Sequence, residues 1–481
     1  MLTVTDGSHT WEYSITGDGN DYWEKVGEAM LKCNVPCTIK HSSEYGEGEI
    51  KVIARQTYTG EDGHDYPSPH ISSEYNNVYG LTPVMPPAET MLKCINSDYS
   101  MDTGKQANMY KFYQIFSDPD GLRCVYGRIA QEEGQPFGKR TVGKKYDPHL
   151  FWLLYNEKIR KRYIDTTSID VANSYSAKPA KSTSHPAKET PASKLYNKLL
   201  KYSRHVVRET LVNEHVTEAQ VKECRKILRE LGERKTVRGF NKQLKKLLLI
   251  SPRKARYIST MMADDVSDFP SIIEREEDLI MAMEGCMVRE DPFGDIEVYE
   301  ATAKQKKKVI DKLSDQLKGK VKAVYRVIPR KQKGRFDSYL NKNHLSSSDV
   351  KELWHGSRNE NWLSIIINSL MLNPNAQITG KMFGNGIYFA PSSTKSWGYT
   401  SYYGTYWANG NQNTAFMGLY ATAYGKPYMV HSSGYYSEAD LKRVGKNCVH
   451  ATPNNTGLRN DEIIFYNESA MLLNYIVEFE G

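Results

Sequence analysis

Between residues 171 and 192 the chain reads VANSYSAKPAKSTSHPAKETPA, a run of Ser, Ala, Pro and Lys with no hydrophobic period. Such a segment has nothing to bury and no stable ladder to join, so it reads as a linker over 169–192. That forbids one continuous core and places folded parts on both sides. At 481 residues the chain also exceeds the size at which single cores stop growing, and about three or four domains are expected.

What flanks the linker has an ordinary globular composition, 39% hydrophobic and 25% charged. The opening MLTVTDGSHTWE lacks a basic segment followed by an apolar one, so no export signal is expected. The densest apolar run, Leu247-Leu248-Leu249-Ile250, suits a core and is far too short for a bilayer. Seven cysteines are dispersed at Cys33, Cys37, Cys94, Cys124, Cys224, Cys286 and Cys448. This pattern predicts reduced thiols in an intracellular compartment, and no membrane partner. The spacing Cys33-x3-Cys37-x3-His41 holds only part of a zinc set; Asn34 and Pro36 interrupt it and no second pair follows, so no metal is expected.

Net charge is only +7, but it is unevenly placed. From Pro191 to Thr260 there are 18 Lys/Arg against 6 Asp/Glu; from Met261 to Glu300 there are 2 against 13. Two solvated faces would explain the blocks, and so would acidic and basic faces that meet. The same region reads as all helix. Thr217-x-x-Gln220 has the form of a capping box; Val221, Cys224, Ile227, Leu228 and Leu231 follow at helical spacing, with Gly232 as a stop. A second apolar face runs Ile272, Ile273, Leu279, Ile280, Met283, with Glu276 among them. Both are expected to be bundle core.

Before the linker, residues 1–88 mix strand-like runs such as Glu49–Ala54 with a helical stretch near Tyr22–Lys32, which predicts a small α/β unit. From Met91 the pattern becomes a meander. Tyr110, Phe112 and, out of step, Ile115 lie in one strand; Asp118-Pro119-Asp120-Gly121 is a hairpin turn; Val125–Ile129 is the returning strand. A basic helix is predicted from Pro148 to Arg162. Lys139, Arg140, Lys144 and Lys145 add cations, with Tyr126, Phe137, Tyr146 and Trp152 interleaved. A solvated face and a phosphate-contacting, base-stacking surface both fit that pattern.

Past Ala301 a basic helix is predicted over Lys304–Gly319. Short apolar strands follow at Val321–Ile328, Ile387–Ala390, Phe416–Ala423, Glu462–Tyr466 and Tyr475–Phe479, with little helix between them. The glycine-rich run Gly380–Ala390, GKMFGNGIYFA, invites a phosphate-loop reading. It fails as one: its glycines precede a strand, no helix opens on them, and no Lys-Ser/Thr follows. Taken singly, His355-Gly356 suggests a turn, Tyr388 a core aromatic, and Glu462 an exposed strand start.

Four blocks taken together say more. LWHGSR (353–358), TGKMFGNGIYFA (379–390), STKSWGYT (393–400) and NDEIIFYN (460–467) resemble, in order and spacing, the catalytic domain of the poly(ADP-ribose) polymerase family. The resemblance assigns His355, Tyr388 and Glu462 to its His-Tyr-Glu catalytic set. It implies NAD+ as the substrate, with Tyr388 and Tyr399 facing the cationic nicotinamide ring. Gly356 and Ser396 would hold the carboxamide, His355 the adenosine-side ribose, and Glu462 the nicotinamide ribose. Ser357 and Lys395 would also border the NAD+ cleft. Met371 stands where many members carry an arginine toward the adenosine end.

The resemblance extends upstream. Residues 108–165 look like a WGR domain, with Tyr126-Gly127-Arg128 in place of Trp-Gly-Arg and the tail LLYNEKIRKRYIDTT behind. In the family that domain binds DNA ends, which would assign Tyr126, Arg128, Lys139, Arg140, Lys144 and Lys145 to DNA contact. Residues 193–290 are similar to a short form of the family's regulatory helical domain. The expected architecture is a multidomain α+β chain: a 1–88 unit of unknown role, a WGR-type antiparallel sheet plus helix over 89–168, the linker, a helical bundle over 193–300, and an ADP-ribosyltransferase fold of mixed sheet or β-sandwich type over 301–481. The expected activity is DNA-dependent polymer synthesis on protein, including the chain itself, in the DNA damage response, in a nucleus or, in a bacterium, the cytoplasm or nucleoid; the alternatives are single ADP-ribose transfer to a protein or nucleic-acid end and a DNA-binding scaffold with an inactive transferase fold.

Overall fold

A computed structural model describes residues 1–14, 25, 28–29, 32–34, 37–43, 46–52, 54–59, 65–72, 87–100, 105–118, 121–129, 141–143, 146, 150–170, 190–255, 257–287, 293–372, 382–403, 413–453 and 456–481. The linker, apart from its two ends, lies outside them. The chain forms two compact units, residues 1–174 with 255–259 and residues 175–254 with 260–481.

Among the described residues the first unit contains two larger antiparallel sheets and two two-stranded ones, Ala54–Thr59 with Asp65–Ser72 and Tyr99–Ser100 with Lys105–Gln106. One orders its strands Thr10–Tyr13, Leu2–Thr5, Cys37–Ser43, Gly46–Val52. Period-two alternation buries Leu2, Val4 and Ile39 together with Ala29, Cys33 and Cys37. The Cys33 and Cys37 sulfurs are 3.7 Å apart. The helix expected near Tyr22–Lys32 falls mostly outside the described residues. The second sheet runs Thr141–Val142, Gly121–Arg128, Met109–Asp118, Glu89–Asn96, Ile164–Asp165. Asp118 pairs with Gly121, closing the expected hairpin, although Pro119 and Asp120 are outside the described residues. The break in alternation at Phe112-Tyr113 has a simple meaning: Tyr110 and Phe112 are buried on one face, while Tyr113 and Ile115 pack under Phe151, Leu154 and Tyr155 of helix Phe151–Arg160.

In the second unit, the first three helices begin on a threonine cap. Thr190, Thr217 and Thr236 accept from the backbone N–H groups of Ser193, Gln220 and Gly239 and open Pro191–Thr210, Glu218–Gly232 and Val237–Ile250. The Thr217 cap is only half the expected box, because the Gln220 amide donates to the Ile250 carbonyl at 3.0 Å instead of reaching back. The fourth helix, Phe269–Cys286, buries Ile272, Ile273, Leu279, Ile280 and Met283 as its period requires. The opposed charge blocks meet. Arg225 clasps Glu284 through two bonds of 2.8 and 3.0 Å, and Arg253 pairs with Glu276 where both are almost fully buried.

Two further sheets complete this unit. The larger orders Ile296–Glu300, Val321–Pro329, Met471–Glu480, Thr414–Ala423, Val350–Gly356, all antiparallel. The smaller orders Ile387–Phe389, Glu462–Phe465, Cys448–Ala451, Pro427–Val430, the last pair parallel. A reciprocal bridge joins them: Trp354 and Ala390 exchange backbone hydrogen bonds of 2.9 and 3.0 Å. Leu195 and Leu199 of the first helix share one core with Leu363, Phe416, Tyr420 and Ile476.

Two expectations need correction. The basic helix over Lys304–Gly319 is two pieces, Ala303–Ile310 and Asp315–Lys318, the second started by Ser314. The last third is also richer in helix than expected. Arg330–Lys342 is helical although it buries only Gln332 and Phe336, too few apolar positions to declare a period.

Candidate active site

Each block of the sequence reaches the site on a different element. His355 and Gly356 end the strand Val350–Gly356, so LWHG is strand and not turn; its partners Gly418 and Met417 lie on Thr414–Ala423. The His355 Nδ1 bonds the Tyr388 carbonyl at 3.0 Å. A carbonyl only accepts, so this nitrogen carries the proton. The imidazole is wedged among Phe389, Tyr420 and Trp362, with ring centroids 5.4 to 6.4 Å away.

Gly356 is required by contact. A Cβ there would sit 1.9 Å from the Ser396 carbonyl oxygen, a distance no side chain survives. Ser396, on the short helix Ser393–Trp397, donates its hydroxyl to the Trp354 carbonyl at 3.0 Å. Trp397 anchors that helix by packing on Tyr402 and Phe479.

Tyr388 sits mid-strand in Ile387–Phe389, opposite Ile464, and is half-buried. Its hydroxyl donates to the Gly384 carbonyl at 2.9 Å and accepts from the Phe383 N–H at 3.2 Å. Burial holds its phenol pKa well above the ordinary value. Gly384 has φ +80°, and a Cβ there would meet the Tyr436 backbone at 3.0 Å. The glycines of the run therefore shape the turn that pins the Tyr388 hydroxyl; Gly380 itself is outside the described residues.

Glu462 opens the strand Glu462–Phe465 and is 7% exposed, so the expectation of an exposed strand start is wrong. Its carboxylate pairs with Lys395 Nζ at 2.7 Å. Burial opposes the Lys395 charge, but the hydrogen bond and charge of Glu462 outweigh it and raise the ammonium pKa. Lys395 also lies 5.8 Å from the centroid of Tyr399, whose ring is 54% exposed. These residues bring together an exposed tyrosine ring, a close backbone approach at Gly356 and a charge pair whose carboxylate is largely buried. Met371 is half-buried at the edge of the described residues.

Beside Ser357 lies a group the sequence does not reveal. The Asn361 amide donates to Ser357 Oγ at 3.1 Å and to Asp278 Oδ1, on the fourth helix, at 2.6 Å. Burial, then the neighbouring charge of Glu360, raises the Asp278 pKa well above the usual carboxylate value; burial likewise raises Glu360. A carboxyl whose pKa is raised by folding binds its proton more tightly in the native state. Stability is then greatest at pH values below the unfolded carboxylate pKa and falls as pH climbs through the raised value. Asp278→Asn keeps an acceptor for Asn361 and removes the charge. Its melting temperature should exceed the parent's by about 2–4 °C near pH 8 and by less near pH 5, as read by thermal melts at the two pH values.

A separate cavity of about 1210 Å³ lies elsewhere on the unit, bordered by Lys331, Arg335, Ser338, Lys342 and Asn467; none of the site residues lines it. In the first unit, Tyr126 is 38% exposed and stacks on Tyr113 at 5.7 Å. Arg128 turns a guanidinium arm inward to the Asn108 carbonyl. Lys139, Arg140, Lys144 and Lys145 are outside the described residues. Among the described residues no three His, Cys, Asp or Glu gather as a metal site, and no helix is long and apolar enough to cross a membrane.

The sequence model of the poly(ADP-ribose) polymerase catalytic domain matches residues 299–456, a span that includes His355 and Tyr388 and stops short of Glu462. Poly [ADP-ribose] polymerase 2 of Homo sapiens is 56% identical over 48 residues, 10% of this chain and 8% of that protein. A putative poly [ADP-ribose] polymerase-like protein, 100L, of Invertebrate iridescent virus 6 is 28% identical over 178 residues, 35% of this chain and 90% of its own length. Poly [ADP-ribose] polymerase 2 of Arabidopsis thaliana is 47% identical over 55 residues, 11% of this chain and 9% of the relative. The chain thus covers less than a tenth of the human and plant relatives.

Proposed function

We propose that this chain, whose residues 299–456 are a domain of the poly(ADP-ribose) polymerase catalytic family, cleaves NAD+, releases nicotinamide and transfers ADP-ribose to protein and to growing chains. The observation that carries the reading is the Lys395–Glu462 pair at 2.7 Å, its carboxylate largely buried, with Lys395 beside the Tyr399 ring and next in sequence to the Ser396 backbone that closes on Gly356.

The chemistry follows from that arrangement. The bond from ribose C1′ to the nicotinamide nitrogen breaks, and its electron pair leaves with neutral nicotinamide. The sugar gains oxocarbenium character, which a fixed carboxylate stabilises. Glu462 fills that role, and it can take the proton of the acceptor hydroxyl as that oxygen bonds to C1′. Lys395 holds the Glu462 carboxylate in place. Tyr388, its hydroxyl tied back to the turn, offers its ring to the nicotinamide. Gly356 lets the backbone approach the carboxamide.

DNA ends serve as the activator in this reading. Residues 89–168 act as the WGR-like DNA-binding domain, with exposed Tyr126 as a stacking surface and the nearby cations on phosphates. Residues 193–300 act as the regulatory helical domain before the catalytic domain at 301–481. The chain itself is among the acceptors, and its compartment is a nucleus or nucleoid. Nicotinamide release from labelled NAD+, with and without broken duplex DNA, tests the reading. Release that rises at least about tenfold with DNA, with a ladder of products on gels, is expected. A single product shift would limit the chain to single transfers, and no release in either condition would refute the activity.

A further inference from the structure

Four side chains from four segments form a connected line behind the site. Lys351, on the strand that carries His355, places its Nζ 3.5 Å from the centroid of the Tyr424 ring. The Tyr424 hydroxyl lies 2.7 Å from His450 Nδ1, and His450 Nε2 lies 2.8 Å from Asp461 Oδ2. Asp461 immediately precedes Glu462. An ionised carboxylate can only accept, so Nε2 donates to Asp461 and Nδ1 of the neutral ring accepts from Tyr424. Every bond in the line then runs in one direction, from Tyr424 through His450 to Asp461.

The backbone around the line is also fixed. Thr422 Oγ1 donates to the Lys351 carbonyl at 2.9 Å, and the Cys448 thiol reaches the Tyr424 carbonyl at 3.4 Å. His450 pairs with Ile463 and Ala451 with Glu462 across the smaller sheet. Tyr424 is 8% exposed and the His450 side chain 13%. Asp461 lies just outside the strand that Glu462 opens, so the bond from His450 holds the chain at the point where that strand begins.

We infer that Tyr424, His450 and Asp461, braced by Lys351, are positioning residues that set Glu462 against the reacting ribose. The inference rests on the proposed role of Glu462. None of the four residues touches substrate; their effect is on where the carboxylate stands. A displacement on the order of 1 Å at a reacting group costs about 100-fold in rate, so even partial loosening is measurable.

The test uses the full chain with four variants: His450→Ala, Asp461→Ala, Asp461→Asn and Tyr424→Phe. His450→Ala and Asp461→Ala should lower kcat for nicotinamide release by about tenfold or more, with KM for NAD+ within about twofold of the parent. Asp461→Asn still accepts from Nε2 and should stay within about threefold of the parent; Tyr424→Phe should fall between. A purely structural line would lower stability and move KM with kcat. Nuclear magnetic resonance separates this claim from the enzymatic one. The parent should show an exchange-protected His450 imidazole N–H, lost in Asp461→Ala and kept in Asp461→Asn. The Glu462 backbone amide should shift in His450→Ala. An inactive parent with those resonances would overturn the activity and leave the line standing. Absence of the protected proton, an unmoved Glu462 amide, or kcat within about twofold of the parent for both alanine variants would overturn the line.

Discussion

Glu462→Gln should reduce nicotinamide release by roughly 100- to 1000-fold and abolish product ladders, with the fold unchanged. Glutamine has the same shape, keeps the backbone pairing with Ala451 and can still accept from Lys395 Nζ. Only the charge is lost, and in the proposed reaction that charge faces the carbon that becomes cationic as nicotinamide leaves. A rival effect is the ammonium left behind: Lys395 is 21% exposed and has Glu462 as its carboxylate at 2.7 Å. An uncompensated cation near a developing cation would also slow the reaction. Lys395→Met separates the two, because it removes the ammonium and leaves Glu462 charged. Its loss should be the smaller, on the order of tenfold. Initial rates for both variants, with melting temperatures within about 2 °C of the parent, would establish the order. Full chain synthesis by Glu462→Gln would sink the assigned role.

Gly356→Ala should damage substrate binding and stability together. The added methyl would lie 1.9 Å from the Ser396 carbonyl oxygen and 2.8 Å from its carbonyl carbon. These are backbone atoms, so no rotamer change relieves the clash. Either strand Val350–Gly356 or helix Ser393–Trp397 must shift, which strains the Ser396–Trp354 bond and the buried Trp397 seat. Overpacking of this kind costs about 1–3 kcal/mol, or several degrees in melting temperature. KM for NAD+ should rise at least about tenfold, because the groups that would meet the carboxamide are the ones displaced. An alanine variant with unchanged KM would remove Gly356 and Ser396 from the binding site. Calorimetric titration with nicotinamide alone checks the same point without turnover.

Much of this site could be read from the sequence because its chemistry is concentrated in short blocks. HGSR, GNGIYF, TKSWGY and DEIIFY each carry a residue whose identity is tied to a task, and their order is enough for a family resemblance. Helices could be read where one apolar face is wide, as in Phe269–Cys286, and strands where β-branched residues cluster, as in Ile387–Phe389 and Glu462–Phe465. The failures have physical causes. His355-Gly356 looks like a turn because glycine weakens a strand, but a neighbouring backbone needs that space. Arg330–Lys342 hides its helix because it buries only two side chains. Glu462 looks exposed because a lone carboxylate prefers water, and nothing nearby in sequence announces Lys395, 67 positions earlier. The Asp278–Asn361 and Tyr424–His450 bonds join residues 83 and 26 positions apart, which no local pattern encodes.

The bridge between Trp354 and Ala390 has a mechanical meaning. It is the seam where one sheet hands over to the other, stitched by one reciprocal pair of hydrogen bonds. His355 follows it by one residue on one side, and Tyr388 precedes it by two on the other. The bond from His355 Nδ1 to the Tyr388 carbonyl crosses the same seam. A shift of either strand at the seam therefore moves His355 and Tyr388 against each other.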